Sequence, residues 1–267
     1  MIRLAAAAGQ FYPETPLALV EEIEKHVDRE AVKQPAKAVI APHAGIRYSG
    51  DVAGAVYSRT EIPPTVILLG PNHTGRGDAA ALMAGGAWEM PQGPVPIHAD
   101  LAHAILEIAP LVHIDARAHA GEHSLETQLP FLQYFRPQLS IVPLCFKPLS
   151  LAACQEIGLE LACTVEQAAG PVLIVASTDM SHYETHVTAQ RKDALAIAQI
   201  LRRDARGLYE IAEAEGISMC GLTPVAVMLA AVNRLGATRA QQVGYMTSGE
   251  INGDWDRVVG YLGVTIH

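Results

Sequence analysis

His43, His73 and His182 each stand just past a short apolar run. Ala38 to Ala41 leads into Pro42, His43, Ala44 and Gly45. Val66 to Leu69 leads into Gly70, Pro71, Asn72, His73, Thr74 and Gly75, and Val172 to Ala176 leads into Ser177, Thr178, Asp179, Ser181 and His182. Short runs rich in β-branched residues read as buried strands, and in open α/β sheets ligands bind beyond the carboxyl ends of the strands. Imidazoles at equivalent strand ends therefore converge in space. Neutral imidazole is the commonest side-chain metal ligand, and two or three of them with a thiolate or carboxylate suit zinc, iron or copper. A hydrogen bond to the local turn would explain any one of these histidines alone, but it accounts less well for three at matching positions.

Cys220 precedes an expected helix start, where terminal amides depress a thiol pKa and favour the thiolate; a buried structural cysteine fits the same place. Asp179, shortly before His182, can orient a liganding imidazole or act as a general base, with an Asx turn or helix cap as the alternative. His123, beside Glu122 and near Glu126, offers a general acid/base group or a further ligand, or belongs to a helix-cap region. Tyr48 and Tyr183 flank the histidine turns and read first as packing residues, second as walls of a cleft. His98, His103, His113, His186 and His267 lack the glycine-rich strand-end setting, and Cys145, Cys154 and Cys163 read as small buried hydrophobes. The glycines of GPNHTGRGD lack the spacing of a nucleotide loop, and no GxSxG occurs.

These groups need strands and helices in alternation to hold them. The pattern predicts a helix over Thr15 to Val27, an irregular loop through APHAGIRYSG and a helix from Asp51 to Arg59. It predicts a strand at Ala79 to Met83 and a lid-like loop over Gly85 to Pro96. Ser124 is expected to cap a helix carrying Leu125, Leu129, Leu132 and Phe135, kinked at Pro130, and Thr223 with Pro224 to start another through Leu235. Val172 to Ala176 is expected as a strand that ends in a polar turn. Alternation along most of the chain predicts an α/β fold with a mainly parallel or mixed central sheet flanked by helices, and no linker divides residues 1–267 into more than a single domain.

Composition narrows the partners. The formal charge of -9, without any Lys/Arg-rich run, argues against nucleic acid and anionic membrane surfaces. No apolar stretch reaches the roughly 18 residues of a membrane span, and the opening MIRLAAAAGQFYP lacks the apolar core of a signal peptide. The four cysteines form no CxxC pair, so a reducing, cytoplasmic setting is expected.

Seven separated stretches, AGQFYP, APHAGIRYSG, LLGPNHTG, GEHSLETQLPFLQ, STDMSHY, MCGLTP and GYMTSGEINGD followed by VGYLG, together resemble the Memo family. This is the family named for a mediator of ErbB2-driven cell motility, whose prokaryotic members are called AmmeMemoRadiSam system protein B. The resemblance implies a fold like the LigB-type class III extradiol dioxygenases, in which two His and a Glu hold non-haem iron. It implies His43 and His73 as metal ligands with Cys220 where the dioxygenases use the carboxylate, and Asp179 and His182 beside them. Iron(II) is the ion it favours, with copper or zinc as alternatives. A thiolate changes ligand charge, softness and redox potential, so ring cleavage itself does not carry over. The resemblance further implies a redox or oxygenase-type enzyme on a small substrate, and association with an AMMECR1-like protein and a radical SAM enzyme. Two rival readings are a non-catalytic module that binds a peptide or protein in the same cleft, and a zinc-dependent hydrolase.

Overall fold

The computed structural model describes every residue from Met1 to His267. In chain order the strands are β1 (Ile2–Arg3), β2 (Ala38–Ala41), β3 (Thr65–Pro71), β4 (Ala80–Leu82), β5 (Ala87–Trp88), β6 (Val95–Pro96), β7 (His113–Ile114), β8 (Ser140–Phe146), β9 (Val172–Ser177), β10 (Asp179–Glu184), β11 (Ala240–Thr247) and β12 (Val258–Ile266). The helices are α1 (Pro16–Glu24), α2 (Ile46–Ser58), α3 (Ala99–Ile108), α4 (Leu129–Phe135), α5 (Leu151–Gln167), α6 (His186–Arg202), α7 (Ala205–Glu215), α8 (Leu222–Arg234) and α9 (Gly249–Asn252).

The fold is α/β with a mixed sheet. Strands β2, β9, β3 and β8 run parallel at its centre, β12 lies antiparallel beside β2, and β4 lies antiparallel beside β8. The central strands are apolar along almost their whole length because helices cover both faces, as parallel sheets require. Helix α8 packs on β2, β3, β8 and β9 with α5 and α7 behind it, while α2, with α1 and α4, covers the other face towards β11 and β12. Gly158 allows the close approach of α5 and α8, since a Cβ there would stand 2.5 Å from the Val227 carbonyl oxygen. The resulting hydrophobic core is continuous from Ala7 to Ile266.

One topological step matters most for the site. Strand β12 offers the same side to two partners, Val264–Ile266 pairing with β2 and Val258–Tyr261 with β10. Strand β9 runs beside β2 until Ser177 stands opposite Ala41, and at Thr178 the chain crosses the end of β2 to continue as β10. The polar stretch after β9 is thus itself a strand, where a turn was expected. The unpaired edge of β12 beyond the end of β2 supplies the backbone partners that draw it out.

Other boundaries shift for identifiable reasons. Helix α2 begins at Ile46, so the IRYS stretch is helical; Gly50 and Gly54 are tolerated inside it because His26 lies directly on them. The expected helix after Ser124 is a 3₁₀ turn at Glu126–Gln128 followed by α4, whose first turn accommodates Pro130 without a kink. Gly85 to Pro96 is no lid: β5 pairs with β1 and β6, and Trp88, Met90 and Val95 are buried. Helix α8 starts at Leu222, and the Thr223 hydroxyl accepts from the Leu149 amide at 3.2 Å without capping α8. No helix is long and apolar enough to cross a membrane.

Candidate metal centre

His43 lies two residues beyond β2 and His73 two beyond β3, the strands that flank β9 on either side. His123 arrives from the turn before the 3₁₀ segment. Donor nitrogens of His43, His73 and His123 all lie within 4.8 Å of one another. Their ring centroids are 5.2 Å apart for His43 and His73, 5.6 Å for His43 and His123, and 4.7 Å for His73 and His123. The Cys220 sulfur stands 3.2 Å from His43 Nε2.

The buried hydrogen bonds dictate which nitrogen each imidazole presents. His43 Nδ1 is 2.8 Å from Ser177 Oγ, and that hydroxyl spends its only proton on the Ser124 carbonyl at 2.7 Å. Ser177 also accepts from Gln128 Nε2 at 2.9 Å, whose other amide hydrogen goes to the Pro42 carbonyl at 2.8 Å and whose Oε1 accepts from the Tyr57 hydroxyl at 2.6 Å. With Ser177 able only to accept, His43 Nδ1 must donate, and the Nε2 lone pair faces the Cys220 thiol, from which it can accept.

His73 is set in the same way by a different group. Glu122, 1% exposed, receives His73 Nδ1 at 2.9 Å and the His73 amide at 2.5 Å, together with the amides of Thr74, His123 and Ser124. Burial alone would raise this carboxyl, but the bond from His73, the His73 charge and the amide of Ser124 together hold it down at about 2. An ionised carboxylate only accepts, so His73 Nδ1 carries the proton and Nε2 is open. His123 Nδ1 is 3.3 Å from the same Glu122 oxygen. Two imidazoles with Nδ1 committed to buried acceptors and Nε2 turned to common space fit the way liganding histidines are supported in metalloproteins. Burial, reinforced by the neighbouring imidazoles His73, His123 and His182, lowers the His43 pKa and keeps the ring neutral, which is the ligand form.

Asp179 meets this site through the crossing at Thr178. Its Oδ1 accepts from the His43 amide at 2.9 Å and the Ala44 amide at 3.4 Å, and its Oδ2 is 4.0 Å from His43 Nε2. Burial pushes this carboxyl upward against those bonds and the charge of His182. Asp179 thus braces the His43 turn; it does not orient His182. The Asp179 amide donates to the Cys220 sulfur at 3.3 Å, and burial, with the Asp179 charge, raises the Cys220 thiol in the absence of a cation. His182 sits inside β10, its Nδ1 3.0 Å from the Ser218 carbonyl and its amide on Ser218 Oγ at 2.8 Å. It stands outside the three-histidine group. Tyr183 occupies a positive φ of 59° where the β10–β12 register slips, and projects into solvent 67% exposed. Tyr48 lies half-buried in the first turn of α2.

Glu122, Ser124, Gln128 and Ser177 are site residues that no spacing rule reveals. For Glu122, Ser124 and Gln128 the hint is GEHSLETQ itself, a run of polar residues inside an otherwise apolar region that ends up buried, and for Ser177 it is the polar stretch that follows Val172 to Ala176. Gly221 is a further structural requirement. Its amide donates to Thr178 Oγ1 at 3.0 Å, and a Cβ there would overlap the Thr178 side chain and stand 2.7 Å from the Ser177 carbonyl oxygen. Gly221→Ala is expected to destabilise the protein by about 1–3 kcal/mol and to displace Cys220, measured by urea unfolding and by a changed rate of Cys220 alkylation.

The family profile described as Memo-like protein matches residues 3–265. A MEMO1 family protein of Methanopyrus kandleri is 39% identical over 282 aligned positions, covering 99% of this chain and 98% of its own. One from Aquifex aeolicus is 40% identical over 271 positions, covering 98% of each. Among solved structures, the uncharacterised protein JW3007 of Escherichia coli K12 superimposes with a TM-score of 0.56 at 13% identity, over 84% of this chain and 98% of that one, a likeness of fold. Carried by a family profile along nearly its whole length and by full-length relatives, the chain belongs to the Memo family.

Proposed function

We propose that this protein is a metal-dependent redox enzyme acting on a small molecule, with His43, His73 and Cys220 as metal ligands and His123 as the adjoining donor or acid/base group. The observation that carries this reading is the commitment of both Nδ1 atoms, on Ser177 and Glu122, which turns two Nε2 atoms towards one space next to a thiol. Iron(II) is the favoured ion, with copper or zinc as alternatives, and bound iron or copper would supply the one-electron and oxygen chemistry that no side chain provides. Resemblance to the LigB-type dioxygenases supports an oxygenase-type reaction, while the thiol in place of their carboxylate separates this centre from ring cleavage. Asp179, with its carboxyl pushed upward by burial, is placed to take a proton beside His43, and His182, its Nδ1 engaged by Ser218, keeps Nε2 for proton exchange at the rim. The family association adds an AMMECR1-like protein and a radical SAM enzyme as partners, and the thiol ligand suits a reducing cytoplasm.

Metal analysis of anaerobically purified protein, combined with alkylation of Cys220, tests the assignment. Without metal, burial raises the Cys220 thiol as it raises those of Cys145 and Cys154, so Cys220 is expected to react faster only because it is partly exposed where they are buried, and stoichiometric Fe(II) is expected to protect it. Equal labelling with and without metal, read by mass spectrometry, removes Cys220 from the ligand set and favours the peptide-binding module. The three-histidine group also suits zinc with an open position, the arrangement of a hydrolase. Protein that retains only Zn²⁺ and shows no redox turnover selects that second reading.

A further inference from the structure

We propose that Arg3 is a positioning residue of the metal centre, holding the segment from His119 to Glu126 where Glu122 can orient His73 and His123. The inference deepens the metal reading and rests on it for the identity of the ligands. Arg3 is 5% exposed, and besides the neighbouring Leu4 carbonyl at 3.3 Å its guanidinium fork addresses three acceptors of the His119 to Glu126 segment in different directions. Nε donates to the His119 carbonyl at 2.6 Å, Nη2 to the Glu122 carbonyl at 2.5 Å and Nη1 to the Glu126 carboxylate at 2.5 Å. The guanidinium carbon lies 4.0 Å from the centroid of the fully buried Trp88 ring, which fixes its plane.

The same segment reaches both histidine turns. Glu126 accepts from the amides of Ala6 and Ala7 at 2.8 Å each and from the Tyr12 hydroxyl, so the chain from β1 to Tyr12 is strapped against the Glu122 turn. Phe11 lies against the His123 ring at 4.3 Å between centroids, and its carbonyl receives the Ile46 amide at 2.8 Å, just behind His43.

A buried ion pair is a weak source of stability compared with apolar packing. Its effect here is geometric: two of the four Arg3 bonds grip the main-chain carbonyls of His119 and Glu122, so the backbone of Glu122 cannot drift while its side chain holds His73. These acceptors are met by three different nitrogens of one planar group, a spread that the three donors on a single lysine nitrogen do not reproduce.

Arg3→Lys and Arg3→Met separate positioning from stability, with Co²⁺ as the probe ion and nitrogen NMR of the imidazoles in metal-free protein as a second readout. Arg3→Lys keeps a cation against Glu126 and is expected to unfold cooperatively, yet to bind Co²⁺ about 10–100-fold more weakly with an altered ligand-field spectrum. In the metal-free variant His73 is expected to lose its pure Nδ1–H signature. Arg3→Met should show both changes more strongly, and if it does not fold, Arg3→Lys decides. Wild-type Co²⁺ affinity, spectrum and His73 tautomer in the folded variants, whatever their melting temperatures, would overturn the proposal. If the wild-type protein binds no Co²⁺, the metal reading fails. The His73 tautomer then judges Arg3 by itself: a mixed tautomer in Arg3→Lys supports the positioning role and an unchanged one refutes it.

Discussion

Alanine at His43 or at His73 is expected to abolish stoichiometric metal binding in a protein that still unfolds cooperatively. Loss of a supporting group typically weakens a metal site about 10–100-fold, and loss of a ligand itself must exceed that. The two variants differ in what else they disturb. The His73 side chain is 35% exposed, so its removal leaves little cavity and frees Glu122 for its four other amide contacts. His43 is buried, and its removal deprives Ser177 Oγ of one donor, at a cost of about 1–3 kcal/mol in stability. Elemental analysis and calorimetric titration of both variants against wild type, with urea unfolding in parallel, check this. Equal metal content in wild type and both variants would show the ligand assignment to be wrong. His182→Ala, changed at a residue outside the three-histidine group, should retain its metal and alter turnover only.

Glu122→Gln should have the second largest effect, because one carboxylate organises the whole far side of the site. Oε1 serves His73 Nδ1 and the amides of His123 and Ser124, while Oε2 serves the amides of His73 and Thr74. A glutamine must turn its NH₂ towards one of these donor sets, leaving N–H facing N–H. Metal affinity is expected to fall about 10–100-fold and stability by about 1–3 kcal/mol. The pH dependence follows from the same contacts. Burial opposes ionisation, yet the His73 bond and charge prevail and move the folded-state pKa from 4.5 to about 2. A depressed acid contributes stability that is fully present above its unfolded pKa and is lost as pH falls through the folded one. Wild type should therefore lose this contribution between about pH 4.5 and pH 2, and Glu122→Gln should lack that part of the acid limb. Urea midpoints across this range provide the measurement; identical acid limbs in the two proteins would refute the role given to Glu122.

His43 and His73 were legible from the chain alone because their cue is local: an apolar β-branched run, then glycine, proline and an imidazole within a few residues. The same locality made the α/β alternation readable, as well as the strand β9 and the helix α8 begun near Thr223 and Pro224. Family membership was also written in the sequence, since the separated motifs survive without knowledge of their contacts. What tertiary structure alone decided is how those motifs meet. His73 and Glu122 are 49 residues apart, and His43 and Cys220 are 177 apart, distances over which no periodicity carries information. The STDMSHY stretch has the composition of a polar turn, and it becomes a strand only because β12 extends past the end of β2 with unpaired backbone groups. That crossing, set by the sheet and not by the residues within it, puts Asp179 on the His43 turn and leaves His182 at the rim. The tautomers that open both Nε2 atoms were likewise beyond the sequence, because a histidine's proton follows whichever acceptor the folded chain brings to its other nitrogen.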